Sequence, residues 1–448
     1  MASTPSLQDG IDKAGSPVRM LWKPDAEPWT PEVVEREYAG WRQEQRAWHE
    51  GVAFLNLSHH MFDLFIEGPD ATRVLAEHGA NDFTRFAVGQ AKQYIPVTAN
   101  GHIVTDGILA REGADKYILS GVPAAQHWVQ YHAEKGGYDV GFHTDPSSAF
   151  RPGGGDPELF RFQIQGPLAQ ELVESAFRGP LPPTKFFHAS PVELGGRRFR
   201  ALRHGMAGQA GYEFIGPWEH AAAVREALLA AGEPLGVVKV GALAYTTPSV
   251  ESGWIPSPVP GIYTDPELLD YRRHLALFGI EGKRPLSGSC FSEDIEDFYV
   301  SPYELGYGKL VNFNHDFLGR DALAKARDEV HRTKVTLLFD AADVRRVVGG
   351  GEDPGFHLTY ARHRVEHDGE LLGVTMQSAT IDPVGTILSL TLIDSGFAEP
   401  GTRVEVAWGE HPGPGTPPDA HRDFPRIRAT VQPVPFNQHA RTLYRRNA

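Results

Sequence analysis

The chain has 448 residues, with 48 glycines, 35 prolines, 41% hydrophobic and 22% charged residues, a turn-rich globular composition of two- or three-domain length. Its 57 acidic against 43 basic residues leave a formal charge of −14, which argues against non-specific nucleic-acid binding. A lone cysteine, Cys290, excludes an internal disulfide framework and multi-cysteine metal or iron–sulfur sites and fits a reducing cytoplasm.

No run approaches the 18 apolar residues of a membrane span, and the polar stretch Met1–Gly15 has no signal-peptide core. Residues 1–30 read as an arm anchored by Leu21, Trp22 and Trp29. Thr30-Pro31-Glu32 predicts a helix start, the helix running to about Gly51 with Trp41 and Trp48 on one face. Asp63–Glu67 reads as a strand ended by Gly68-Pro69, and Asp70–His78 as a short helix. Tyr94–Val97, Ile103–Ala110 and Lys116–Leu119 read as strands, joined by turns at Asn100-Gly101 and Glu112-Gly113. Pro123–Gly136 reads as a helix and 146–158 as a loop.

The pattern then restarts. Phe160–Ile164 is a strand, Gly166-Pro167 ends it, and a helix runs to about Phe177. Strands follow near Val192, over Phe199–Leu202 and over Tyr212–Ile215, then a helix over Glu219–Ala231. The strand–Gly-Pro–helix unit thus occurs twice, which suggests two related α+β subdomains, although Gly-Pro also ends unrelated strands. Beyond about residue 330 helices fade. Val335–Phe339, Leu371–Met376, Thr386–Ile393, Val404–Ala407 and Ile427–Val431 predict an all-β barrel or sandwich interrupted by a polar loop at 409–424.

Few residues stand out chemically. Asp106 sits inside an apolar strand, where an acid must be hydrogen-bonded or used. The Gly-x-x-Gly-x-x-Gly loop Gly205–Gly211 runs into a strand carrying Glu213. It lacks the Lys and Ser/Thr of a P-loop and the following helix of a dinucleotide fingerprint. A carboxylate such as Glu213 can accept two parallel N–H bonds from a pterin or guanine edge. His59 and His60 are neighbours, which on a strand point to opposite faces and do not chelate one metal; no metal site is expected. Tyr245 is either core or a phenolic general acid, and Trp254 can stack on a planar ligand. Cys290 has no local base and reads as structural.

Together these segments resemble the glycine-cleavage T-protein (aminomethyltransferase) family. Asn56-Leu57-Ser58-His59 resembles its early Asp-x-Ser-His stretch. Gly101–Ala110 resembles the strand with its catalytic Asp, and Gly205–Glu213 the Gly-rich loop ending in a folate-binding Glu. Ser301–Tyr307 and Asp316–Gly319 are similar to its late core motifs. One branch fits better still. Trp41–Trp48, Arg203–Gln209, Gly216–Glu219 and Glu251–Pro258 are similar to the tetrahydrofolate-dependent aryl O-demethylases of the vanillate and syringate type and to sesamin methylene transferase.

The resemblance implies an α+β fold: an arm and helix (1–50), a folate-binding core of two related α+β subdomains (51–330) and a C-terminal β-barrel (331–448). It implies tetrahydrofolate as cofactor, a small aromatic substrate, and no nucleic-acid, membrane or obligate protein partner. Tyr245, Asp106 and His60 are expected in catalysis. Glu213, Gln163, Gln165 and Trp254 are expected at the folate, and Val122 and His59 at the substrate. Val122 stands where the vanillate-type enzymes carry a carboxylate-binding Arg. A neutral lignan or lignin-type substrate is therefore expected, cleaved at an aryl C–O bond. Methylene transfer from a methylenedioxy ring is the favoured form and O-demethylation of a methoxy-arene the alternative. A non-catalytic folate-binding protein would keep Glu213 without needing the Tyr245 acid.

Overall fold

The computed structural model describes residues 4–24, 26–28, 33–149, 151, 154–256, 258–349, 355–420 and 423–443. The arm is helical. Ser6 closes a capping box on Leu7–Ala14, and Ser16 with Pro17 starts Pro17–Leu21, both strong start signals. Leu21 and Trp22 are buried, Trp22 edge-on to Phe291 at 4.8 Å.

The expected start of the next helix, Thr30-Pro31-Glu32, and Trp29 lie outside the described residues. The helix itself spans Trp41–Glu50 rather than reaching back towards 30. Gly40 at φ 89° breaks the chain direction. Glu37 accepts the Trp41 N–H, and Glu44 turns back to the Tyr38 and Ala39 amides. Trp41 and Trp48 share the buried face, packed with Leu55, Val240 and Leu243.

Two sheets follow. The first is antiparallel, in the order Ala91–Tyr94, Gly107–Gly113, Lys116–Gly121, Phe62–Glu67, Gly141–Asp145. The second runs Val238–Val240, Ala53–Asn56, Leu159–Gln165, Gly211–Pro217, Arg197–Leu202, Ala189–Leu194, with one parallel pair at Ala53–Val238. Each begins its repeat alike. Strand Phe62–Glu67 turns through Gly68 into helix Ala71–Glu77, and strand Leu159–Gln165 turns through Gly166 into helix Ala169–Phe177. Both glycines have positive φ, and a Cβ would lie 2.6 Å from Asp139 O at Gly68 and 2.5 Å from Gly51 O at Gly166, so only glycine fits.

Alternation decides which faces are buried. Leu64, Ile66, Leu109 and Leu119 pack beneath the first sheet. Phe160, Phe162, Ile164 and Phe214 pack beneath the second. The opposite faces carry Asp63, Ile108 and Ser120 on one side and Arg161, Gln163 and Glu213 on the other, and the two faces look at each other.

Two expected strands shift. Tyr94–Val97 and Ile103–Ala110 become Ala91–Tyr94 and Gly107–Gly113, because 95–106 leaves the sheet and bonds instead within itself, through the Val97–Ile103 bridge, and to Ala80, Val300 and Gly261. Asp106 therefore stands just ahead of its strand rather than within it.

The C-terminal region is a closed six-stranded barrel. Arg364–His367, Glu370–Ile381, Thr386–Asp394, Arg332–Phe339, Arg426–Gln432 and Arg403–Ala407 pair in a ring. Its first strand, bulged at Val365/Glu366, is absent from the sequence reading. Arg364, Glu366 and His367 hide its apolar signal.

Candidate active site

The two facing sheets enclose a cleft. Its walls include Asp106, Ile108, Ser120, Val122 and Trp254 on one side and Arg161, Arg200, His204, Met206 and Glu213 on the other. A cleft that is mostly apolar with a few convergent polar groups suits a small-molecule ligand.

Asp106 is buried, and its Oδ2 accepts from three segments. Trp254 Nε1 donates at 2.8 Å, Tyr307 Oη at 2.5 Å, and Gln93 Nε2 also donates. Its Oδ1 is buried with no protein partner. Burial raises its proton affinity above that of an ordinary aspartate, with the three donors pulling the other way. Trp254, expected as a stacking wall, thus also orients this carboxylate through its N–H.

Glu213 lies opposite Gln163 in the second sheet. Its carboxylate stands 3.8 Å from Arg161 Nε and 3.5 Å from His204 Nδ1. Arg161 is itself locked by a bidentate pair with Asp63, at 2.7 and 2.9 Å. Arg200 pairs with Glu112 across the cleft. Gln165 is fully engaged. Its Nε2 donates to Gln163 Oε1, and its Oε1 accepts the Ala207 amide at 3.0 Å. Gln163 Oε1 also accepts the Met206 amide at 3.1 Å, while its Nε2 is buried without a partner. The two glutamines therefore pin the Gly-rich loop, and only Gln163 retains a free donor for a ligand. At the loop's end Gly211 is obligatory, since a Cβ there would meet Ile164 O at 1.9 Å.

His59 and His60 lie in a turn after strand Ala53–Asn56, not on a strand. They still diverge. His59 Nδ1 bonds Ser148 Oγ at 2.8 Å and its ring meets Trp218 at 5.4 Å, outside the cleft walls. His60 packs on Tyr245 with centroids 4.3 Å apart. Both its ring nitrogens are buried and unpartnered. Burial, helped by the His59 and Arg161 charges, pushes its pKa down to about 3, so near pH 7 its imidazole is neutral.

Tyr245 ends the short helix Ala242–Tyr245. Among the described residues its hydroxyl has no hydrogen-bond partner. Burial first, then the negative charge of Glu213, holds the phenol well above its ordinary pKa. It stays protonated and available as a donor. Cys290 is covered, with its thiol pushed up by burial. Among the described residues no group of three His, Cys, Asp or Glu side chains is placed to hold a metal, and no helix is long and apolar enough to cross a membrane.

The sequence reading missed Arg161, Arg200, His204, Gln93 and Tyr307. One signal existed for Arg161. Asp63 and Arg161 occupy the same place in the two repeated units, 98 residues apart.

The model of the GCVT N-terminal domain matches residues 25–257. Syringate O-demethylase of Sphingobium sp. (strain NBRC 103272 / SYK-6) is 38% identical over 98% of this chain and 97% of its own length. Sesamin methylene transferase of Sinomonas sp. (strain No.22) is 30% identical over 90% of each. The glycine cleavage system aminomethyltransferase T from Bartonella henselae shares the fold with a TM-score of 0.63 at 18% identity, over 96% of both chains. The chain belongs to the GCVT (aminomethyltransferase) family and is an enzyme of that class, a transferase whose cofactor is tetrahydrofolate. The cleft fits that cofactor. Asp106 Oδ1 and Gln163 Nε2 are orphaned polar atoms at or beside its walls, and the Glu213 oxygens can accept paired N–H donors of a pterin edge.

Proposed function

We propose that the chain is a tetrahydrofolate-dependent O-demethylase of a methoxy-arene of the syringate kind, releasing a phenol. The observation that carries this reading is Tyr245: a protonated phenol, free of protein partners, packed on a neutral imidazole. The 38% identity to a syringate O-demethylase, against 30% to a methylene transferase, supports methyl over methylene transfer. This makes the sequence-based alternative the main reading.

Bound tetrahydrofolate supplies a nucleophilic nitrogen that accepts the carbon. The chain does the rest. Glu213, with Gln163 Nε2, orients the pterin. Tyr245, protonated and without a protein partner, donates its proton to the departing aryl oxygen as a general acid. Asp106, with raised proton affinity and a free Oδ1, takes up the proton released when the carbon is accepted. Apolar Ile108, Ile118 and Val122 exclude water from the cleft, and fixed orientation of the reacting atoms lowers the barrier further.

The apolar Val122 on the cleft wall favours the second reading, methylene transfer from an uncharged methylenedioxy-arene. Anaerobic incubation with tetrahydrofolate and, in parallel, syringate, guaiacol or sesamin separates them. Demethylated phenol from a methoxy-arene supports the proposal. A catechol from sesamin alone overturns it.

A further inference from the structure

Lys334 belongs to barrel strand Arg332–Phe339, yet its ammonium reaches towards the active site. Nζ donates to Gly253 O at 2.6 Å and to Leu305 O at 2.7 Å. Gly253 immediately precedes Trp254, and Leu305 stands two residues before Tyr307. Trp254 and Tyr307 are two of the three side chains that donate to Asp106 Oδ2. The same Nζ lies 5.8 Å from the centre of the Tyr307 ring, within reach of a cation–π attraction. The third donor, Gln93, is held from elsewhere: Asn81 Nδ2 donates to Gln93 O at 2.7 Å. Arg332, two residues before Lys334 on the same face of the strand, grips the same segment further upstream. It gives Nε to Glu304 Oε1 at 2.7 Å and Nη2 to Tyr299 O at 3.1 Å.

A hydrogen bond to a carbonyl fixes the peptide unit that carries it, and a charged donor holds about twice as strongly as a neutral one. Here the backbone needs holding. Gly253, at φ 78°, ends helix Pro248–Ser252, and Gly306, next to Leu305, has φ 80°. One acceptor is thus a glycine and the other precedes one, the residue with the most backbone freedom. Hydrogen bonds weaken steeply outside a narrow range of distance and angle. The aim of the Trp254 N–H and the Tyr307 O–H therefore depends on where these two peptides sit. A single ammonium that binds both also sets their separation. Asp106 Oδ2 is clasped between the two donors, while Oδ1 stays without a protein partner.

We propose that Lys334 is a positioning residue for the transfer reaction: by holding the Gly253 and Leu305 carbonyls it aims the Trp254 and Tyr307 donors at Asp106. The barrel thereby completes a site whose cleft it does not line with this residue. The effect of Lys334 on rate rests on the demethylase reading above; its effect on the Asp106 donors does not.

The resting enzyme tests this by NMR without turnover. With ¹⁵N-labelled tryptophan at pH 8, the Trp254 indole N–H signal is assigned among the eight tryptophans by its loss in Trp254→Phe. Asp106→Asn removes the charged acceptor and should move the indole proton upfield. Lys334→Met should move it in the same direction, and Arg332→Met should leave it in place. A signal unmoved in Lys334→Met overturns the assignment, as does an equal movement in Arg332→Met, the mark of a general loosening of the barrel. Rates give the second reading. Lys334→Met should slow methyl transfer about 10-fold, the scale of a small misplacement, with tetrahydrofolate affinity kept. Added to Asp106→Asn it should cost less than about twofold, since both changes act through one group. Equal slowing in the two backgrounds shows a merely structural role and also overturns the assignment. Should Lys334→Met not fold, Lys334→Arg, which keeps the cation and re-aims its donors, is put through the same two measurements. A moved Trp254 signal with no methyl transfer from any methoxy-arene would sink the demethylase reading and leave Lys334 in place. Methyl transfer with an unmoved signal would do the reverse.

Discussion

The two repeated units are built alike and charged oppositely. Phe62–Glu67 carries Asp63, Leu159–Gln165 carries Arg161 at the equivalent place, and the two side chains meet in a buried bidentate pair that ties one sheet to the other. Around that tie the sheets diverge. The first brings forward Asp106, buried, with one oxygen saturated by donors and the other free. The second brings forward Glu213, flanked by Arg161 and His204. A duplicated scaffold thus offers two carboxylates in two environments, one suited to holding a proton and one suited to accepting neutral N–H donors. Environment rather than residue type divides the work.

The comparison can be broken from either side. Tyr245→Phe should reduce the rate of methyl transfer by roughly 10³-fold, within the span of a lost general acid, with folate affinity intact by calorimetry; a smaller loss than about tenfold removes Tyr245 from the mechanism. Arg161→Met leaves Asp63 as an uncompensated buried charge and should cost about 3–5 kcal/mol in urea unfolding, with much of it regained in Asp63→Leu/Arg161→Met. Equal destabilisation of single and double variants would show that the tie between repeats is not electrostatic. Glu213→Gln should weaken tetrahydrofolate binding about 10- to 100-fold.

Asp106→Asn should lower the rate about 10- to 100-fold yet leave the protein as stable as wild type or more so at pH 7. The sign follows from linkage. Its proton affinity is raised on folding, so its favourable contribution is full below the unfolded pKa and is lost as pH rises through the folded one. The amide should therefore gain on the wild type in thermal melts as pH rises from 4 to 7. A separate pH effect belongs to the histidines. His60, His132 and His363 are pushed down to about 3, and His78 and His357 to about 4. Their contribution is present above pH 6.5 and is lost as pH falls towards 4, by at most about 1.4 kcal/mol per histidine per pH unit. A rate inflection near pH 6.5 that disappears in His60→Gln would contradict its neutral role.

Much of the fold was legible because it is local. Alternation marked Phe62–Glu67 and Leu159–Gln165, the Gly-Pro pairs marked their ends, and helix 124–136 was bounded by Pro123 and Gly137. The shifted strands around 91–113 were not legible, because the strand edges there are fixed by pairing with Lys116–Gly121 rather than by their own pattern. Within the site, Asp106, Glu213, Trp254 and Tyr245 were visible as residue types out of keeping with their neighbours. Tyr307 was not, since its partner Asp106 is 201 residues away and no local rule joins them. The histidine pair shows the converse. Its residues were found, but only burial against Tyr245 reveals that His60 is neutral.

The most direct test follows one carbon. A methoxybenzoate labelled with ¹³C in the O-methyl group is incubated anaerobically with the enzyme and tetrahydrofolate, and the folate fraction is read by NMR. The account predicts an intact ¹³CH₃ on the folate product, equimolar with the phenol released. Label found at the methylene level, or a phenol formed without labelled folate, would contradict it.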